Sequence, residues 1–353
     1  METLWFCLIA VMIAVYVVLD GFDLGAGVIH LFVAKTNEER KAVLESIGPF
    51  FDGNEVWLLA AAGTIFFAFP ALYASSFQGF YLPLMVVLWL FMARGLSLEL
   101  RNHLDTPVWR PLWDAGFSAS SGLLAIVFGA ALGNIVRGVP LDDGHEFFLP
   151  FWTNWTPGTS PGILDWFTVT TGVTALAALT LHGSLWVSYK TTGAVAERSS
   201  KLVMRLFIPV GILTVVLSLM TFAVQPHVLS SFRQDLWGVV FPLLAIAGLV
   251  YAFIMNRARK ELNAFLGSCA YLTGMLTSAA FGLFPYVLPS CLDAGASLTI
   301  SNAAPAAYGL RIALFWWLPG MALAIGYSAF VHRRFAGKVR VDATNSAEAP
   351  LSE

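Results

Sequence analysis

Nine apolar runs, each long enough to cross a lipid bilayer, constrain the fold more than any other feature of this sequence. A transmembrane helix needs ~20 largely apolar residues to cross a hydrocarbon core of ~30 Å. The runs span residues 3–33, 53–73, 77–100, 114–136, 163–189, 204–225, 237–256, 264–287 and 309–331. Only 12% of the residues are charged, which is about half the fraction usual in soluble chains. The sequence therefore predicts an all-α integral membrane protein with about nine transmembrane helices.

Along the chain, connections rich in lysine and arginine alternate with connections that contain few of them. Sixteen of the twenty lie in the connections 34–52, 101–113, 190–205 and 257–263 and after the last run. The alternate connections hold only Arg137, Arg233 and Arg311. Because cytoplasmic loops are enriched in Lys and Arg, this pattern predicts an amino terminus outside the cytoplasm. We expect residues 1–335 to form one membrane domain and the polar residues 336–353 to form a disordered cytoplasmic tail.

Several functional classes find no support in the residues. A formal net charge of −2 gives no reason to expect nucleic-acid binding. The three cysteines lack CxxC spacing, so neither a disulfide framework nor a zinc site is indicated. The sequence contains no P-loop, no Rossmann fingerprint and no HExxH motif. We therefore expect no metal site and no catalytic residues of the soluble-enzyme type.

Charged residues inside the apolar runs are the best candidates for function, because a charge in the hydrocarbon region is costly. Asp20 and Asp23 lie in the first run, three residues apart, and so project from nearly one helix face. The predicted topology places six charged side chains between the bilayer midplane and the cytoplasmic surface: Asp20, Asp23, Asp52, Glu55, Arg94 and Glu99. This half of the membrane is therefore the predicted location of a functional site.

Two interpretations of these acids are open. In the first, Arg94 neutralises one carboxylate, while the others cap helices or reach interfacial water. Asp52 and Glu55, for example, have the spacing of a capping pair at the start of the second run. In the second, the acids exceed what one arginine can neutralise, and buried carboxyl groups of this kind suit proton uptake and release. We favour the second, in which the acids form a proton entry route on the cytoplasmic side.

Histidines inside the runs are the other candidates, because membrane haems are commonly ligated by histidine. His30 and His182 lie within runs and are candidate ligands of a haem held between helices. Two isolated histidines are, however, more typical of hydrogen bonding within a helix bundle. We therefore assign no cofactor-binding residue to this chain and keep His30 and His182 only as weak candidates.

Several motifs resemble subunit II of the cytochrome bd quinol oxidases. The most specific are DGFDLGAG at 20–27 and GPFFDGNEVWL at 48–58. Further matching stretches are FPALYASSFQGFY at 69–81, GNIVRGVP at 133–140 and FPYVLPS at 284–290. The resemblance covers essentially residues 3 to 333.

This resemblance implies a fold of two four-helix bundles plus a peripheral helix, in a multi-pass protein of the bacterial or archaeal cell membrane. It implies a heterodimer with a subunit I that carries the haems, haem b and haem d, and the quinol site. The complex would oxidise quinol and reduce oxygen to water, and subunit II would hold no haem ligand of its own. A small single-helix subunit and membrane lipids are open as further partners.

The resemblance also implies a role for particular acids in a cytoplasmic proton route toward the oxygen-reducing haem. That role maps onto Asp52, and with it onto Asp20 and Asp23, with Arg94 as the nearby cation. On this resemblance we expect Asp52 to relay protons and also to cap its helix. Position 55 is Glu where other relatives carry Gln, which adds an acid near the route.

Two other classes of function remain open at this stage. An ion-coupled secondary transporter would also place acids at mid-depth, but it predicts an inverted repeat. No second copy of DGFDLGAG or FDGNEVW occurs in the carboxyl half. The other alternative is a purely structural membrane partner, whose acids only hold helices together.

Overall fold

A computed structural model describes residues 1–104 and 106–340, and most of these residues are helical. Eleven helices follow in chain order: α1 (Glu2–Val33), α2 (Asn37–Ala68), α3 (Pro70–Gly79), α4 (Tyr81–Leu100), α5 (Trp109–Arg137), α6 (Trp166–Lys190), α7 (Gly193–Val224), α8 (Pro226–Gln234), α9 (Val240–Arg257), α10 (Glu261–Leu283) and α11 (Ala307–Arg334). A short antiparallel pair, β1 (Tyr286–Leu288) and β2 (Leu298–Thr299), lies between α10 and α11. The predicted all-α membrane fold is confirmed.

Helix α2 begins well before residue 53, and this corrects the prediction for its start. Thr36 caps the helix, because its hydroxyl accepts from the backbone N–H of Glu39 at 3.3 Å. The Glu39 carboxylate accepts in turn from the backbone N–H of Thr36, which completes a capping box. The prediction that Asp52 caps the helix, with Glu55 as its partner, is therefore wrong. Residues 37–52 are too polar to belong to an apolar run, but a charged segment outside the hydrocarbon core can still be helical.

The second apolar run is broken rather than continuous. Helix α2 ends at Ala68, and α3 continues after Phe69 at an angle of 119° to it. Pro70 is the first residue of α3. Proline lacks an N–H and is favoured in the first turn of a helix, so it permits a new helix here but not the continuation of α2.

The connections predicted to be cytoplasmic lie together at one end of the bundle, here called the basic end. The contacts that tie them together run from Arg101 to Asn37, from Arg198 to the Val33 carbonyl, from Lys190 to the Phe335 carbonyl and from Lys338 to Glu261. Each contact joins two different connections, or a connection and the segment after α11. The alternating charge pattern therefore corresponds to a real separation of the connections.

The alternate connections lie together at the opposite end. Their contacts run from Trp5 to the Leu310 carbonyl, from Ser75 to the His145 carbonyl, from Gln225 to the Val136 carbonyl and from the Val139 N–H to the Pro289 carbonyl. Arg137, at this end, forms an ion pair with Asp165, the N-cap residue of α6. The long helices of the described chain therefore run between two chemically distinct ends.

Seven helices of the described residues are long and apolar enough to cross a membrane, and the bent pair α2–α3 would make an eighth. Helix α6 has 25 residues but does not meet the same standard of hydropathy. Its polar residues, which include Thr168, Thr171, His182 and Ser184, are buried against neighbouring helices rather than exposed. The count of nine spans and the outside amino terminus therefore stay predictions.

The helices pack as two groups of four. Helices α1, α2, α4 and α5 form the first group, and α6, α7, α9 and α10 form the second. Contacts of α6 with α1 and α5 join the two groups, while α11 lies at the edge against α2. This arrangement agrees with the two bundles and the peripheral helix that the family resemblance implies.

The segment after α11 is partly tied to the bundle. The backbone N–H of Val339 donates to the Lys190 carbonyl at 2.7 Å, so residues 336–340 lie along the end of α6. The remainder of the predicted disordered tail, 341–353, lies outside the described residues.

Helices α1 and α6 approach most closely at Gly25 and Gly183. A Cβ at position 183 would lie 2.3 Å from the backbone nitrogen of Ala26, and one at position 25 would lie 1.9 Å from the Leu179 carbonyl oxygen. Only glycine permits this distance, as is usual where membrane helices pack through small residues. This contact joins the two four-helix groups beside Asp23.

We expect Gly183→Ala to destabilise the protein, because the new methyl group meets backbone atoms that cannot rotate away. Overpacking of this kind costs ~1–3 kcal/mol or more. The measurement is the thermal midpoint and the yield of purified complex. Gly211→Ala is the matched control, because no atom lies within 4 Å of a Cβ at that position of α7 among the described residues. Equal stability of the two variants would contradict the prediction.

Candidate functional site

Arg94 and Asp20 form a fully buried ion pair between α4 and α1. Arg94 donates through Nη2 to Asp20 Oδ1 at 2.5 Å and through Nη1 to Asp20 Oδ2 at 3.0 Å, and both side chains are 0% exposed. The Tyr16 hydroxyl donates to the same carboxylate at 2.9 Å. A bidentate Arg–carboxylate pair is both strong and geometrically specific. Asp20 is therefore held as the principal partner of Arg94.

Asp23 is equally buried but has a different environment. Its Oδ2 accepts a hydrogen bond from Asn54 Nδ2 at 2.8 Å, and Asn54 also donates to the Leu19 carbonyl. Its Oδ1 has no hydrogen-bond partner among residues 1–104 and 106–340. A buried charge without a partner is costly, whereas a carboxyl group that holds a proton is much less so. The position therefore suits a group that takes up and releases a proton.

Glu55 brings a third carboxyl group to the cluster. Its Oε1 lies 3.6 Å from Arg94 Nη1, and its side chain is 31% exposed. Arg94 thus faces Asp20 and Glu55 directly and has Asp23 close by on the helix that carries Asp20. Together Asp20, Asp23, Glu55 and Arg94 form what we call the carboxylate cluster. It contains three acids and one cation.

Asp52 and Glu99 lie beside the carboxylate cluster in a groove between α2 and α4. The groove encloses about 350 Å³ and is also lined by Glu45, Lys41 and Arg101, so it lies at the basic end. Asp52 is exposed in the middle of α2, one helical turn before Glu55. We call this feature the acidic groove.

Phe51 separates the acidic groove from the carboxylate cluster. Its ring lines the groove, and the Arg94 guanidinium carbon lies 4.4 Å from the ring centroid. A guanidinium over an aromatic face is a favourable cation–π contact. The aromatic ring therefore helps to hold Arg94 in place while closing part of the path between the two sites.

The structure thus divides the six predicted residues into two adjacent sets. Four belong to the buried carboxylate cluster, and Asp52 and Glu99 belong to the acidic groove. Sequence reasoning missed Asn54 and Tyr16, although both had a signal. Asn54 stands inside the FDGNEVW motif, and Tyr16 precedes Asp20 by four residues, which puts the two on one helix face.

A second buried network, which the sequence did not indicate, lies at the basic end around Asp114. Its carboxylate accepts from Arg101 Nε at 2.6 Å and from Arg40 Nη1 at 3.1 Å, and lies 2.8 Å from His30 Nε2. These residues come from α1, α2, α5 and the end of α4. Because one carboxylate meets several cationic or donor groups, the network suits a structural role, in which it holds these helices together, rather than proton transfer.

The two candidate haem ligands are engaged in hydrogen bonds. His182 Nδ1 lies 2.7 Å from Ser268 Oγ and its Nε2 lies 2.9 Å from the Val18 carbonyl oxygen, while His30 contacts Asp114. Both side chains are 0% exposed. His182 uses both ring nitrogens in these contacts, whereas His30 Nδ1 has no hydrogen-bond partner among the described residues. The described part of the chain contains no group of three or more His, Cys, Asp or Glu residues that could hold a metal ion.

The fold and the site define a multi-pass, all-helical membrane protein with a buried carboxylate cluster near its basic end. Over residues 1–335 the sequence matches the model of a protein family described as cytochrome bd terminal oxidase subunit II. The chain belongs to this family.

Relatives and a solved structure agree with this assignment. The chain is 30% identical to the probable cytochrome oxidase subunit 2 of Haemophilus influenzae, over 95% of this chain and 94% of the relative. It is 29% identical to the cytochrome bd ubiquinol oxidase subunit 2 of Bacillus subtilis, over 95% of this chain and 96% of the relative. The bd oxidase structure from Geobacillus thermodenitrificans has the same fold, with a TM-score of 0.73 at 13% identity over 95% of this chain and 98% of that one.

The predicted function is confirmed at the level of the complex. The chain is a subunit of a bd-type quinol oxidase, an oxidoreductase of the respiratory chain, and it is a multi-pass protein of the bacterial cell membrane. Membership implies a partner, subunit I, and complexes of this family use haems and quinol. The transporter alternative finds no support in these comparisons.

Proposed function

We propose that this subunit conducts protons from the cytoplasm toward subunit I and supports that subunit without binding haem itself. The observation that carries the proposal is a cluster of two buried carboxyl groups and one partly exposed carboxyl group around one buried arginine, directly beside an acid-lined groove. A structural ion pair requires one acid for one cation. The excess of buried acids needs another explanation, and proton transfer supplies one.

The environments of the acids suggest an order for the route. Asp52, exposed in the acidic groove, would take protons from the cytoplasm. Glu55 would connect the groove with the buried cluster, because it contacts Arg94 and is still partly exposed. Asp23, fully buried and hydrogen-bonded only through Oδ2, would be the innermost station. Asp20 is held by Arg94 and would keep the cation in place rather than carry protons.

The direction of the route depends on the orientation of the chain. We propose nine spans with the amino terminus outside, so that the basic end faces the cytoplasm, as the excess of Lys and Arg indicates. Helix α6 would be the ninth span. Its low hydropathy does not argue against this, because its hydroxyl and imidazole groups are hydrogen-bonded inside the bundle.

We further propose that subunit I packs against α4 and α11. These are the two candidate spans with the smallest buried shares, 11% and 6%. They expose large aromatic side chains, with Trp89 71% and Trp316 80% exposed. Subunit I would then hold haem b, haem d and the quinol site, which agrees with the use of both His182 ring nitrogens in contacts inside this chain and of His30 Nε2 in its contact with Asp114.

Asp52→Asn tests the cytoplasmic end of the route. The complex should assemble with normal haem spectra, because Asp52 is exposed and the substitution keeps its shape. We expect turnover to fall by about tenfold, less than the ~10²-fold typical of a lost proton-transfer group, since Glu99 lines the same groove. The measurement is quinol-driven oxygen consumption at matched haem content.

Glu45→Gln serves as the matched control for Asp52→Asn. Glu45 also lines the acidic groove but lies 3.6 Å from Lys41 on the exposed side of α2. We expect this variant to turn over like the wild type. Full activity of Asp52→Asn across the working pH range would favour the purely structural role.

A further inference from the structure

A second groove, unrelated to the carboxylate cluster, opens between α1 and α7 at the basic end. It encloses about 500 Å³. Its apolar wall is formed by α1 side chains that include Val28, Ile29 and Phe32, and Phe32 is 68% exposed. Its other wall carries Lys201 and Arg205 of α7. The groove thus combines an apolar wall with a basic rim.

The positive charge on this rim is largely uncompensated. Arg198 also lines the groove, but its guanidinium is paired with Glu39 at 2.8 and 3.1 Å. Lys201 and Arg205 form no ion pair within the described part of the chain, and no described carboxylate lines the groove. These two residues are four apart and so lie one above the other on the same face of α7. The rim therefore presents two adjacent cations that form no ion pair with a described carboxylate, including Glu197 one turn before Lys201.

The same face of α7 becomes apolar beyond Arg205. Ile208 and Ile212 follow at helical spacing and are 70% and 59% exposed. Going from the basic end toward the middle of the bundle, the surface therefore changes from cationic to hydrocarbon. This order matches a phospholipid, whose anionic phosphate lies at the interface and whose acyl chains extend inward.

We propose that this groove binds one anionic phospholipid from the leaflet at the basic end. Lys201 and Arg205 would bind the headgroup phosphate, and an acyl chain would lie against Phe32 and Ile208. A free phosphate ion would leave the apolar wall uncovered. Among described residues the groove is lined only by α1, α6 and α7, so a subunit packed on α4 and α11 would leave it accessible to lipid.

The test uses the purified, delipidated complex of both subunits, titrated with dioleoyl-phosphatidylglycerol and followed by native mass spectrometry. The double variant Lys201→Gln/Arg205→Gln should weaken the tightest binding step about 25-fold, because each basic residue near an anionic surface contributes about fivefold. Dioleoyl-phosphatidylcholine should bind the wild type and the variant equally weakly. The single variants, each expected to lose about fivefold, carry the same test if the double variant does not assemble.

Arg257→Gln/Lys260→Gln is the matched control, because it removes two exposed cations from the same end of the bundle outside the groove. It should bind phosphatidylglycerol like the wild type. Equal affinity of the wild type and the groove variants would overturn the proposal. Displacement of the lipid by millimolar inorganic phosphate would also overturn it, because the groove would then be a site for free phosphate. A small polypeptide that co-purifies with the complex and is lost when Lys201 is replaced would overturn it as well.

Discussion

Replacing Arg94 by leucine is expected to remove most of the assembled oxidase from the membrane. The substitution leaves Asp20 with only the Tyr16 hydroxyl as a partner in a site that is 0% exposed, and it also takes the cation away from Glu55. Removing one partner of a buried ion pair costs ~3–5 kcal/mol, because the remaining charge is uncompensated. This cost is a large fraction of the free energy of unfolding of a typical domain.

The measurement for Arg94→Leu is the yield of haem-containing complex after purification, read from its absorbance spectrum and its size-exclusion profile. Arg257→Leu is the control, since it removes an exposed arginine from the end of another span. In a double-mutant cycle, Asp20→Asn should cost much less in the Arg94→Leu background than alone, because the two residues share one interaction. Wild-type yield of the Arg94→Leu complex would show that the pair is not needed for assembly.

Asp23→Asn is expected to give the largest loss of turnover among the acid variants. Asparagine fits the same space and can still hydrogen-bond with Asn54, so the complex should assemble with normal haem spectra. The variant lacks the group that would take up and release a proton. Loss of a proton-transfer group on a single route costs ~10²-fold or more. The measurement is the rate of quinol-driven oxygen consumption per haem.

Asp20→Asn is the internal control for Asp23→Asn, because it makes the same chemical change three residues away on the same helix. Asp20 is bonded to Arg94, so its loss should reduce assembly rather than the turnover of the complex that remains. Two variants that differ in this way would separate a structural acid from a proton-carrying one. Full turnover of Asp23→Asn would remove Asp23 from the proposed route and leave the buried acids as helix contacts.

Asp52 illustrates where sequence reasoning succeeded and where it failed. Its position at the edge of an apolar run placed it near the basic end of the bundle, and there the structure shows it lining the acidic groove. The same position wrongly suggested a helix start, because the apolar pattern begins there while the helix begins at Asn37. The true start is recognisable in hindsight from Thr36 and Glu39, whose spacing is that of a capping box. Hydropathy reports contact with lipid, whereas capping reports the beginning of the hydrogen-bonded helix.

The roles of Asp20 and Asp23 show a different limit. At i and i+3 they share a helix face, and the sequence treats them alike. Only the packing of α4 and α2 against α1 distinguishes them, since Arg94 reaches Asp20 while Asn54 reaches Asp23. The Asp114 network escaped notice for the same reason. Its partners His30, Arg40 and Arg101 come from α1, α2 and the end of α4, and no local sequence pattern indicates that they meet at Asp114.

The sequence by itself determined that this chain is an all-helical membrane protein, which connections share an end, and which acids oppose the apolar pattern. These properties follow from local composition, because a bilayer tolerates few charges and few structures other than helices. The tertiary structure decided which acid pairs with the arginine, which acid is bonded by Asn54 through one oxygen only, and that Asp52 lines a groove instead of capping a helix. Such pairings depend on the rotation and depth of whole helices, which are set by contacts such as that of Gly25 with Gly183, and no single segment of the sequence specifies them.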